Sequence, residues 1–143
     1  MTLSFDGTVI VPVADPDDGE RTAAALEPYL GPSSTVIAIN VIEKAGGGPD
    51  KASVEQREEH ADDIFRRVRE TLDDAPGALE TRTVYGTDVV ERIFETAREE
   101  RADAVVFSAR EGNRLAEFLT GDVARRLVKE ATVPVVALPR ASS

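Results

Sequence analysis

The chain has 143 residues, 27 Asp and Glu against 17 Lys and Arg, a net charge of −10, one His and no Cys. A chain of this length forms one domain and buries roughly 70% of its extended surface, and its 41% hydrophobic residues support a packed core. Absence of Cys excludes disulfides, thiolate zinc sites and thiol catalysis, while the acidity argues against nucleic acid and anionic membrane surfaces as partners.

Thr8 to Ala14 is a β-branched run that reads as a buried strand, followed by an acidic turn, Asp15-Pro-Asp-Asp-Gly19. Glu20 to Leu30 places Ala23, Leu26 and Leu30 on one helical face, and Gly31-Pro32 stops it. Thr35 to Val41 is a second buried strand, and Gly46-Gly47-Gly48 marks a loop. Ser53 to Leu72 predicts a long helix with Ala61, Ile64, Val68 and Leu72 as its apolar stripe. Leu79 to Tyr85 alternates, as a strand near a sheet edge does. Asp88 then caps a helix whose buried face is Val89, Val90, Ile93, Phe94 and Ala97, with Glu91 three residues on. Asp103 to Phe107 is a fourth strand, Ser108 to Arg114 a polar loop, and Leu115 to Ala131 helical with a break at Thr120-Gly121. Val133 to Leu138 is the fifth strand.

Apolar strands alternating with helices predict an open parallel α/β sheet covered on both faces, a single domain with its core at about residues 8–139. Ligands in such sheets bind at the carboxyl ends of the strands. That selects Ala14-Asp15, Val41-Ile42, Tyr85-Gly86 and the stretch after Phe107. No apolar run nears the roughly 20 residues of a membrane span. The N-terminus lacks a basic stretch followed by an apolar one, so a cytoplasmic location is expected. Only three cations, Lys44, Lys51 and Lys129, are lysine. Arginine preference with excess acid fits a high-salt cytoplasm, where carboxylates hold water and self-repulsion is screened.

Three stretches together resemble the universal stress protein family. They are Val9-Ile-Val-Pro-Val13; Val84-Tyr-Gly86 with its capped helix and Ala102-Asp-Ala-Val-Val106; and Leu119-Thr-Gly121-Asp-Val123 with Arg126-Leu-Val128 and Val133-Pro-Val-Val136. The resemblance implies a Rossmann-like five-stranded sheet in the order 3-2-1-4-5, a cytoplasmic dimer and a role under stress. Nucleotide-binding members carry an Asp at the end of the first strand. After the fourth they carry Gly, two residues, Gly, nine residues, then Gly with Ser or Thr, a loop whose N–H groups cradle phosphates.

Laid on this chain, the first-strand Asp falls on Ala14, the loop glycines on Ser108, Glu111 and Gly121, and the hydroxyl on Asp122. Two carboxylates thus stand where a triphosphate needs donors, each like-charge contact costing on the order of 1–4 kcal/mol. The resemblance therefore implies a member with a degraded nucleotide pocket, non-enzymatic and requiring no cofactor. The alternative is an ATP or AMP sensor, with Mg²⁺, using Pro12, Val41, Gly121 and Val123. Asp15 and Gly112 each lie one residue beyond a family position, and Asp15 on the strand would face the wrong side.

Other sites read weakly. Asp122 in a helix first turn is stabilising without any ligand. Ser108 has no visible base, because His60 lies mid-helix among acids and is expected to be an exposed helical residue. Asp15, Asp17 and Asp18 miss calcium-loop spacing and are expected to form a solvated loop. A receiver domain needs an acceptor Asp after the third strand and a Lys after the fifth, where this chain has Tyr85-Gly86 and Pro139-Arg140. A dinucleotide fold would want a glycine fingerprint after the first strand. The apolar fifth strand, with Val133, Val135, Val136 and Leu138, is expected to pair with a second copy, giving a two-fold dimer, although Pro134 and Pro139 also blunt that edge.

Overall fold

The computed structural model describes residues 3–43, 51–108 and 121–139. Glu111, Gly112, the triple glycine and the first part of the last predicted helix lie outside the described residues. Five parallel strands, β1 (Thr8–Pro12), β2 (Thr35–Glu43), β3 (Ala78–Gly86), β4 (Ala104–Ser108) and β5 (Val135–Leu138), form one sheet in the order β3-β2-β1-β4-β5. The helices are α1 (Pro16–Leu26), α2 (Lys51–Thr71), α3 (Val89–Glu99) and α4 (Gly121–Lys129). Ile10 sits level with Ile37 on one side and Val105 on the other, and Val105 is level with Val135.

Strand side chains alternate between two apolar layers, which is why the strands read as unbroken hydrophobic runs. Val9, Val11, Val13, Val36, Ala38 and Val106 meet Ala23 and Leu26 of α1 and Ile64, Phe65 and Val68 of α2. Ile10, Ile37, Ile39 and Val105 meet Ile93 and Phe94 of α3 and Leu127 of α4. The predicted stripe of α2 is buried throughout, as Ala61, Ile64, Val68 and Leu72.

The expected boundaries shift for identifiable reasons. Helix α1 begins at Pro16, not Glu20, because Asp15 is its N-cap and Pro16 supplies the preset φ of a first helical residue. It ends at Leu26 and passes into a 3-10 turn over Glu27–Tyr29, since Pro28 has no N–H to continue the ladder. Ser108, expected in a loop, is the last residue of β4, level with Leu138 and fully buried. Strand β5 starts at Val135 rather than Val133. Leu138 is only 2% exposed and fills the chain's own core rather than standing outward for a partner, while Val133, Val135 and Val136 are half-buried.

Helix α4 is tied to α3 by charge. Asp88 Oδ1 accepts from Glu91 N at 3.1 Å as the N-cap of α3, and Arg126 Nη2 donates to both Asp88 oxygens at 3.0 and 3.1 Å. The Glu91 amide first, and Arg126 after it, hold the Asp88 carboxyl below its usual range. A carboxyl with a depressed folded pKa stabilises the fold above its unfolded value of about 4 and loses that contribution as pH falls through the folded value. Asp88→Asn, which keeps a capping oxygen, is therefore expected to flatten the fall of melting temperature with acid below about pH 4. Thermal denaturation from pH 7 to pH 2.5 checks this, and parallel curves for the two proteins count against it.

Candidate functional site

The carboxyl ends of β1 and β2 open into a cavity of about 200 Å³, walled by Ala14, the Asn40–Glu43 end of β2, and Arg57 and His60 of α2. A larger hollow, about 450 Å³, lies at the opposite, amino edge around Phe5, Gly7 and Asp103. It is the less informative of the two, because parallel sheets place their ligands at the carboxyl edge. In that amino-edge hollow Asp103 is already engaged, accepting from Thr8 N at 2.9 Å.

The β1 wall is built by the chain's own carboxylates. Asp15 Oδ1 accepts from Asp18 N at 2.8 Å, and Asp18 Oδ2 reaches back to Ala14 N at 2.9 Å. This is a variant of the capping box made of two Asp residues: Asp15 takes an amide of the first helical turn, and Asp18 returns to the amide of the residue just before the cap. The acidic stretch expected as a solvated loop is thus the first turn of α1. Asp18 is fully buried, and its Oδ1 lies 3.8 Å from Arg21 Nη2. The exposed Asp17 and Glu20 bind Arg67 of α2 at 2.7 and 3.0 Å.

Of the sequence candidates, Ala14 and Val41 meet at the cavity, Ala14 half-buried and Val41 8% exposed. Pro12 is buried as the last residue of β1, level with Ile39. Ser108 Oγ is 2.8 Å from Thr22 Oγ1, so its hydroxyl is spent on a buried pair. Gly121 opens α4. Asp122 is exposed and pairs with Arg125 on its own helix, the role of an ordinary first-turn acid, and Val123 packs half-buried on the α3 layer. His60 is exposed as expected, yet it stands at the cavity rim rather than away from the sheet edge.

Sequence reasoning passed over Asn40 and Arg57, and it set His60 aside as an exposed helical residue. Asn40 is 7% exposed, and its Nδ2 donates to Val13 O at 2.8 Å, bridging the ends of β2 and β1. Arg57 Nη1 donates to Glu43 O at 2.7 Å, fixing α2 over the end of β2. A polar residue in the run Thr35–Glu43 was the available signal, since a buried Asn needs partners. Tyr85 donates to Glu58, which raises the phenol above its ordinary value. None of the described helices is long and apolar enough to cross a membrane.

A 3-2-1-4-5 parallel sheet with a cleft at the carboxyl ends of β1 and β2 defines a Rossmann-like α/β domain. The profile described as the Universal stress protein family matches residues 7–139, and the chain belongs to that family. Among solved structures, the universal stress protein from Archaeoglobus fulgidus in complex with dAMP is 20% identical, covering 92% of this chain and 97% of its own, with a TM-score of 0.64. UspA from Lactobacillus plantarum is 18% identical over 94% and 99%, with a TM-score of 0.69. A universal stress protein in complex with cAMP is 16% identical over 92% and 94%, with a TM-score of 0.61. These likenesses bear out the fold and the strand order. Comparison with curated proteins gives no significant match.

Proposed function

We propose that this chain is a cytoplasmic, non-enzymatic stress-response regulator, a homodimer whose nucleotide pocket has lost the grip on a triphosphate. The observation that carries the reading is the Asp15–Asp18 capping box. It fills the start of α1 with the chain's own carboxylates, and the β1 end beside it presents the Ala14 methyl where binders present a carboxylate to the base. Asp122, at the start of α4, adds a further negative charge and bonds Arg125. On this reading the site takes no ATP with Mg²⁺. A second reading, an adenine-nucleotide sensor, is favoured by the cavity itself and by the dAMP and cAMP held by two structural neighbours.

The dimer is proposed through β5. The opposite edge strand, β3, is guarded by Arg82, which bonds Glu80 at 3.0 Å and also Glu100. Strand β5 presents Val135, Val136 and the exposed Ala137 with no charged side chain, an edge flanked by Pro134 and Pro139 that pairing with a second copy covers.

Purified protein, denatured and analysed by mass spectrometry, is expected to release no stoichiometric ATP. Titration with Mg·ATP in molar KCl is expected to show nothing near micromolar affinity, which corresponds to about 8 kcal/mol. Stoichiometric ATP, micromolar binding or turnover overturns the reading. In sedimentation the wild type is expected to run as a dimer and Ala137→Asp as a monomer, and a monomeric wild type refutes the β5 interface.

A further inference from the structure

We propose that the amino-edge hollow is a docking site for an arginine side chain of a protein partner, held between the carboxylates of Asp6 and Asp103. The hollow measures about 450 Å³ and lies where β1 and β4 begin, away from the carboxyl edge at which parallel sheets seat small ligands. Phe5, Val9 and Ala104, all buried, form an apolar floor, and Ser4, Asp6 and Asp103 form an exposed polar rim. That division matches arginine, whose methylene stem covers apolar surface while its planar head takes carboxylates.

The backbone sets Asp103 in place. Its Oδ2 accepts from Thr8 N at 2.9 Å, and its own amide donates to Thr8 O at 2.7 Å. Gly7 makes room for it, because a Cβ there would collide with Oδ2. Among the described residues Asp103 Oδ1 has no partner, and Arg101, two residues earlier, forms no ion pair with it. Asp6 accepts from Ser4 Oγ at 3.3 Å through Oδ1 and keeps Oδ2 open.

Helix ends add to the negative potential. The helices run antiparallel to the strands they join, so their carbonyl ends point to the amino edge. Helix α1 carries no basic residue in its last turn. The turn that follows lies against the hollow, with Tyr29 O accepting from Phe5 N at 3.0 Å. A cation arriving here meets two carboxylates and an uncompensated helix end, and no lining residue is positive. A small free cation would leave the apolar floor bare. A peptide covers the floor and also meets Leu3, which adjoins the rim in the chain and is 51% exposed.

The test is an NMR titration of the full chain with an acetylated, amidated Gly-Leu-Arg-Leu-Gly peptide, and with the same peptide carrying citrulline, which keeps the shape of arginine without its charge. The amides of Gly7 and Thr8 are expected to shift saturably at about millimolar peptide. Citrulline is expected to bind about tenfold more weakly, as loss of a charge-assisted hydrogen bond implies. Asp103→Asn, which keeps an oxygen for Thr8 N, and Asp6→Asn, at an exposed position, are each expected to weaken binding severalfold. Asp62→Asn, which removes the same charge from an exposed position on α2, is expected to change nothing. If Asp103→Asn does not fold, Asp6→Asn decides. Equal binding of the two peptides, an equal loss in Asp62→Asn, or no saturable shift at Gly7 and Thr8 overturns the proposal. So does tighter binding of spermidine at the same amides, which makes the occupant a polyamine, or shifts there that grow with protein concentration alone, which make it a second copy.

Discussion

Asp18→Ala is expected to cost about 3 kcal/mol of stability, because it strips a buried charge-assisted hydrogen bond from the end of β1. The carboxylate is fully buried and bonds Ala14 N at 2.9 Å. Without it the Ala14 amide loses its acceptor and Arg21 loses the carboxylate 3.8 Å from its Nη2, while the backbone N–H of residue 18 still donates to Asp15. In a domain of this size a loss of that order lowers the melting temperature by about 10 °C. Asp18→Asn retains an oxygen for the Ala14 amide and is expected to fall between the two. Urea denaturation checks the ranking: the midpoint should drop with an unchanged slope. An Asp18→Ala protein as stable as wild type would show that the capping box contributes little.

Gly77→Ala is expected to be comparably damaging, by about 3 kcal/mol, for a reason that belongs to the backbone. Gly77 has φ +94°, and a Cβ there would lie 2.5 Å from Ser34 O and 2.9 Å from Gly31 O. Neither oxygen can retreat, since Ser34 O accepts from Ala78 N at 2.9 Å and Gly31 O from Ser34 N at 3.0 Å. Gly31→Ala is the matched control, because its Cβ would meet only Ser4 Oγ at an ordinary 3.7 Å. Thermal melts of the two variants should differ by roughly 10 °C, and equal melts would refute the clash.

The sheet was legible because the three inner strands are buried on both faces and the helices carry apolar stripes. The features that failed were those in which one residue type serves two structures. Asp15-Pro-Asp-Asp-Gly19 has the composition of a turn, yet Asp before Pro with acids behind it is also a helix start, and the latter won. Ser108 looked like the first residue of a polar loop, but a buried hydroxyl on α1, Thr22, let it end a strand. Ala14 and Val41 were found because strand ends are readable from the apolar runs. Asn40, Arg57 and the place of His60 were not, since their meeting depends on how α2 settles across the end of β2. That angle is fixed by contacts such as Gly19 against Ile64 and Val68, which no local pattern encodes.

The capping box has one further consequence, for competition. The amide-lined start of a helix beside a parallel sheet is a natural seat for a phosphate. In this chain Asp15 Oδ1 already takes the Asp18 amide of that start, while Asp18 reaches back to Ala14 N. An anion arriving at α1 therefore meets a tethered acceptor whose effective concentration is about millimolar or higher and is never diluted.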